Sequence, residues 1–133
     1  MDPTYRIRLP FRDFDMHGHM HNAAYVSHFE AALSHFLRAN GLEEGFAPNG
    51  SHVFLVRKVE VTYDAPCRYD EEIEITTKIA RIGGSSLSFA PVMTSGDQTR
   101  ASASIVWICV DKATGRPCNV PDPIRNALVR FNQ

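Results

Sequence analysis

The chain has 133 residues, 44% of them hydrophobic and 22% charged, a globular composition sized for one domain over 1–133 whose core needs no disulfide or metal staple. Fourteen basic residues against fifteen acidic ones give a formal net charge of -1, with no run of like charges, so a nucleic-acid arm or an acidic tail is excluded. The start has no basic segment leading into an apolar run, and no stretch is long enough to span a membrane; a cytoplasmic location is expected. Cys67, Cys109 and Cys118 are an odd count without metal-type pair spacing, which fits reduced thiols better than a disulfide framework.

Residues 4–13 alternate, with Tyr5, Ile7 and Leu9 set against Arg6, Arg8 and Pro10, and predict a first strand with one buried face. From Asn22 the period lengthens. Tyr25, Phe29, Ala32, Leu33 and Phe36 recur at three- and four-residue steps, predicting a helix over about 23–40, with Asn22 able to cap its start and Gly41 able to end it in a left-handed turn. A Gly-, Pro- and Asn-containing connection over 41–51 follows. Val53, Leu55, Val59, Val61 and Tyr63 mark a second strand, with a bulge near Arg57. Ile73, Ile75, Thr77 and Ile79 alternate strictly, and Gly83-Gly84 turns the chain into a strand over 86–94, where Pro91 indicates an edge or a bulge. Gly96-Asp97 is a further turn, 101–111 a last long strand, and Pro121-Asp122-Pro123 opens a short C-terminal helix. The layout is α+β: a five-stranded, mainly antiparallel sheet wrapped around one long helix. One helix cannot cover every edge of such a sheet, so a homo-oligomer is expected.

Five of the six histidines fall within 17–35, directly after Asp13 and Asp15. The segment Asp13-Phe14-Asp15-Met16-His17-Gly18-His19-Met20-His21-Asn22 puts carboxylates and a glycine turn against a helix N-terminus. Such a terminus presents unpaired N–H groups and partial positive charge. It can polarise a carbonyl oxygen while a nearby carboxylate attacks or positions water, which is the equipment of acyl transfer.

With Asp15, Gly18, His19, Asn22, Tyr25, Phe29 and Glu30 in register, this segment resembles the active-site pattern D-x-x-G-H-x-x-N-x-x-Y of the hot-dog-fold acyl-CoA thioesterases, the group that includes 4-hydroxybenzoyl-CoA thioesterase. Further matches are Val59-Glu60-Val61-Thr62-Tyr63, Asp70-Glu71-Glu72-Ile73, Arg81-Ile82-Gly83-Gly84-Ser85-Ser86 and the run from Val110 to Pro117, so the resemblance extends over nearly the whole chain. It implies a hot-dog fold and hydrolysis of an acyl-CoA to a carboxylic acid and free coenzyme A. Asp15 would be nucleophile or general base, with His19 beside it and the N–H groups around Asn22 on the thioester oxygen. Gly18, Tyr25, Glu30, Lys58, Arg81 and Ser85 would contact substrate, with Arg57 a further cation for the phosphates. No cofactor or metal is implied, and the partners are the small-molecule substrate and further copies of the chain, as homodimer or homotetramer, without nucleic acid or membrane. His21 departs from the pattern, since many members carry a second asparagine there.

Structural uses compete at each position. Asp13 is read as a turn or helix-start residue, His19 as either turn-shaping or catalytic, Tyr25 as core packing, and Glu30 as either interface partner or substrate contact. His17, His19 and His21 alternate as zinc ligands on a strand would, but Gly18 and the approaching helix argue against a straight strand there. Ser85, Ser86 and Ser88 have no nucleophile elbow around them. The alternative functions are hydrolysis of an acyl carrier protein thioester and acyl-CoA binding without turnover; a hydratase or dehydratase would need a differently spaced Asp and His.

Overall fold

The computed structural model describes residues 2–47 and 50–131; Pro48 and Asn49, within the 41–51 connection, lie outside the described residues. The long helix, α1 (Asn22–Ala39), forms where the apolar spacing places it. At 1.5 Å per residue it is about 27 Å long. Tyr25, Phe29, Ala32, Leu33, Phe36 and Leu37 are buried along one stripe, and Phe29 and Leu33 are wholly shut off from solvent. The helix stops at Gly41, whose φ of 71° is left-handed. There the N–H of Leu42 donates to the carbonyl of Leu37 at 2.8 Å and that of Gly41 to Arg38 at 3.1 Å, so glycine's freedom closes the last turn on its own carbonyls.

Around this helix lie β1 (Tyr5–Arg8), β2 (His52–Tyr63), β3 (Glu72–Ile82), β4 (Ser86–Ser95) and β5 (Gln98–Asp111), with a second helix, α2 (Asp122–Val129), at the C-terminal end. The sheet order is β1-β3-β4-β5-β2, and every pairing is antiparallel. Alternation sorts the strands into two faces: Ile73, Ile75, Ile79, Leu87, Phe89, Met93, Ala101 and Ile105 point inward and are buried against the helix layer. One register row, Tyr5, Ile75, Met93, Ala101 and Tyr63, crosses all five strands. This is the expected hot-dog fold. Among the described residues neither β1 nor β2 has a strand on its outer edge, and β2 carries half-exposed Leu55, Val56 and Tyr63.

Several expectations need correction. The first strand ends at Arg8 rather than continuing to 13, because Pro10 leaves the ladder and Phe11–Asp13 tighten into a 3₁₀ turn. Asn22 is inside α1, and the capping position belongs to His21. A 3₁₀ turn at Glu43–Phe46 had no periodic signal. Pro91 sits buried in β4, a central strand rather than an edge; the β4–β5 pairing passes over Ala90 and Pro91, and the irregularity follows between Met93 and Thr94. By contrast, the β2 bulge falls at Arg57, between Val56 and Lys58, as expected.

Because Phe29 is sealed between helix and sheet with no solvent exposure, Phe29→Ala is predicted to destabilise the fold by about 3–5 kcal/mol, measured by chemical denaturation.

Candidate active site

Residues 13–21 fold back on themselves between the 3₁₀ turn and α1. The N–H of Asp15 donates to the carbonyl of His19 at 3.0 Å, that of Gly18 to Asp15 at 3.0 Å, and that of His21 to Asp13 at 2.8 Å, while Phe14 and Met20 form a bridge across the loop. Gly18 makes the reversal with φ of 77°. Inside it, Oδ1 of Asp15 accepts the N–H of His17 at 2.9 Å and of His19 at 3.0 Å. These bonds, with His19 the larger, hold the Asp15 carboxyl below the usual carboxylate range, and the adjacent His17 and His19 side chains add to the effect. Among the described residues none donates to the second oxygen, Oδ2. Asp15 is therefore an ionised, oriented and solvent-facing carboxylate.

The loop delivers the chain to α1 with the helix end uncapped: His21 makes no side-chain cap bond, and the first turn holds no acidic residue. The N–H groups of Asn22 and Ala23 lie in the first turn, where an α-helix supplies no internal partner. One short loop thus separates the carboxylate from the helix terminus. His17, His19 and His21 are all exposed; His19 serves the loop through its backbone, and no group of three or more potential metal-ligating side chains is assembled among the described residues.

Other singled-out residues are dispersed. Tyr25 is buried, its hydroxyl accepts the N–H of Cys67 at 3.4 Å, and its ring meets Tyr63 edge to face at 4.9 Å. Burial pushes its phenol up to about 12, which is the packing use. Glu30 is exposed on α1. Lys58 pairs with Glu60 at 2.8 Å. Lys58, Val106, Ser88 and Arg81 form one register row on the outer face, so the two cations stand about 14 Å apart across three strand spacings. Ser85 lies in the three-residue connection after β3, its carbonyl taken by the N–H of Cys109 at 2.7 Å. The loop of Asp15 follows β1, which pairs with the start of β3. Nine residues of β3 separate Glu72 from Arg81, about 30 Å at 3.3 Å each. Within one chain Arg81 and Ser85 do not reach Asp15.

A concavity of about 340 Å³ is also remote from Asp15: Leu37, Phe46, Phe54, Val56 and Trp107 line it near the C-terminal end of α1. Two features escaped sequence reasoning. His28 is buried against Asp13, Nε2 to Oδ2 2.7 Å; its place on the apolar stripe of α1 was the only signal. Cys109 and Cys118 bring their Sγ atoms to 3.5 Å as free thiols, and burial raises Cys109 to about 12.

Comparison with known proteins agrees with the fold. The pattern of the thioesterase-like superfamily matches residues 9–128. The acyl-CoA thioester hydrolase YbgC of Escherichia coli O6:H1 is 31% identical over 119 residues, 89% of each chain, and the long-chain acyl-CoA thioesterase FadM of Escherichia coli K12 is 27% identical over 129 residues, 92% of this chain and 94% of that one. Among solved structures, a thioesterase of Thermus thermophilus complexed with coenzyme A and Zn superposes with a TM-score of 0.81 at 28% identity, covering 98% of this chain and 95% of that one. By a match over nearly its whole length, the chain belongs to the thioesterase-like superfamily.

Proposed function

We propose that this protein hydrolyses an acyl-CoA thioester to a carboxylic acid and free coenzyme A, with Asp15 acting at the thioester carbon. The observation that carries the reading is an ionised carboxylate held by two backbone N–H groups, one short loop from an uncapped helix N-terminus. The names of the relatives YbgC and FadM support the substrate class.

In this mechanism the thioester oxygen rests on the N–H groups at Asn22, where donors fixed in advance stabilise the charge that develops on it. Asp15 then works by one of two routes. As nucleophile, its oxygen bonds to the carbonyl carbon and the C–S bond breaks, giving a mixed anhydride and the CoA thiolate; water hydrolyses the anhydride and restores the carboxylate. As general base, Asp15 takes a proton from a water that adds to the same carbon, and the thiolate leaves as the tetrahedral intermediate collapses. His19 keeps Asp15 aimed, and Gly18 leaves room beside it. No cofactor takes part.

Coenzyme A brings phosphates, for which Arg57, Arg81 and Lys58, the last already paired with Glu60, are the candidate cations. Arg81 and Ser85 lie about 30 Å along the sheet from the end that carries Asp15, and Asp15 itself sits on open surface. A complete site therefore needs a second copy, which supplies those residues and, with Glu30, walls in the substrate. The unpaired β2 edge with Leu55, Val56 and Tyr63 half exposed is the surface for that association.

Asp15→Asn is expected to keep the fold and lower turnover by roughly 10²-fold or more, read as thiol release from a panel of short, long and aromatic acyl-CoA esters; turnover equal to the parent's would refute the assignment. Since Asp15 is held below its ordinary value, activity depending on the carboxylate is present above that lowered value and is lost as pH falls through it, so the acid limb of kcat/KM lies below the usual carboxylate range. A strong chelator is expected to leave activity unchanged. Light scattering is expected to report a dimer or tetramer for the parent, and a Leu55→Lys/Val56→Lys variant to lose both mass and activity.

A further inference from the structure

We infer that the buried Asp13–His28 pair is a positioning device for the reaction, setting the distance between the loop that carries Asp15 and the helix that carries the carbonyl-binding N–H groups; this rests on the reading of Asp15 given above. Asp13 Oδ2 lies 2.7 Å from His28 Nε2, and the two side chains retain only 10% and 7% of their solvent exposure. The same residue's backbone carbonyl accepts the N–H of His21 at 2.8 Å. Asp13 thus holds α1 at two places, its start and the second turn, while standing two residues before Asp15. The other charged or titratable groups nearby are the exposed Arg12, whose Nε is 3.8 Å from Asp13 Oδ1, and Tyr5, whose ring centroid is 6.5 Å from that of His28.

The two halves of the proposed site sit on different elements, and their relative placement must be held to a fraction of an ångström for chemistry to proceed. The apolar stripe of α1 seats the helix on the sheet, and the loop joins that core through Met20 and Phe14, but apolar contact is not directional and does not by itself fix the loop's position. Within the loop, the hydrogen bonds fix Asp15 against His17 and His19 rather than against the helix. A buried carboxylate cannot shift from its partner without losing the bond that compensates its desolvation, so the pair fixes the loop root against the helix more sharply than apolar contacts would. A device of this kind lowers the rate when broken more than it weakens substrate binding. It also has a signature that a purely structural pair lacks. When the loop root drifts, the N–H bonds from His19 and His17 to Asp15 loosen, and the Asp15 carboxyl moves up toward its ordinary value.

The test is a set of variants, His28→Leu, His28→Gln, Asp13→Asn and Asp15→Asn, assayed with the best acyl-CoA for kcat and KM across pH, with circular dichroism to establish folding. Expected for His28→Leu is a fall in kcat of roughly 10- to 100-fold, KM within about threefold, and an acid limb of kcat/KM displaced upward. His28→Gln, which retains a donor, recovers part of kcat. Folded His28→Leu with the parent's kcat and acid limb overturns the inference, as does a loss shared between kcat and KM with the acid limb unmoved. Should His28→Leu fail to fold, Asp13→Asn decides: reduced kcat with a displaced limb supports the device, and parental values for both overturn it. Asp15→Asn with parental turnover would bring down the reading of Asp15 itself, whereas an inactive Asp15→Asn beside a fully active His28→Leu removes only the positioning role.

Discussion

A carboxylate bound to the backbone of its own loop is the constraint from which the rest of the proposed site follows. For Oδ1 of Asp15 to accept N–H groups two and four residues ahead, the chain must reverse at once, and it does so through the left-handed Gly18. The reversal spends the polar capacity of the loop on Asp15. Among the described residues no side chain then caps α1, and the helix start remains available as a hydrogen-bond donor surface. One local closure therefore accounts for the ionised state of Asp15, its orientation and the donors beside it.

The sheet explains why so open an arrangement can become an enclosed site. Strand register pairs β1 with the start of β3 and leaves Arg81, the 83–85 connection and the aromatic concavity around Trp107 toward the opposite end. A single copy presents a carboxylate without walls at one end and cations or apolar walls at the other. The same sheet pairs β2 with β5 on one side and, among the described residues, leaves its other edge without a strand, with half-exposed apolar side chains on β2. In the proposed assembly a second copy answers both the open edge and the divided site.

What could be read from the sequence was what short-range periodicity and single special residues encode. The α1 stripe, the helix stop at Gly41, the β2 bulge at Arg57, and the turns at Gly83-Gly84 and Gly96-Asp97 depend on neighbours within a few positions, and the loop of Asp15 is similarly local. Features set by pairing over long separations were not legible. Pro91 reads as an edge residue until the β4–β5 register is known. The alternation through Leu9 and Pro10 continues past the end of β1 because burial at Leu9 outlasts strand pairing. His28 finds Asp13 only when α1 is laid against the loop, and the Cys109–Cys118 approach exists only because the chain beyond β5 returns along it. The placement of Arg81 and Ser85 far from Asp15 likewise came from register, where the family resemblance supplied only their identity.

The account turns on where a thioester carbonyl sits relative to Asp15 and the first turn of α1. The most direct measurement is a crystal structure of the protein with an acyl-CoA analogue in which a methylene replaces the thioester sulfur. The account predicts the carbonyl oxygen within hydrogen-bond distance of the N–H groups at Asn22 and Ala23, with the carbonyl carbon facing Oδ2 of Asp15 and the nucleotide against residues of a second copy. A carbonyl seated elsewhere, for instance in the concavity of Phe46, Phe54 and Trp107 with Asp15 left in solvent, would contradict it.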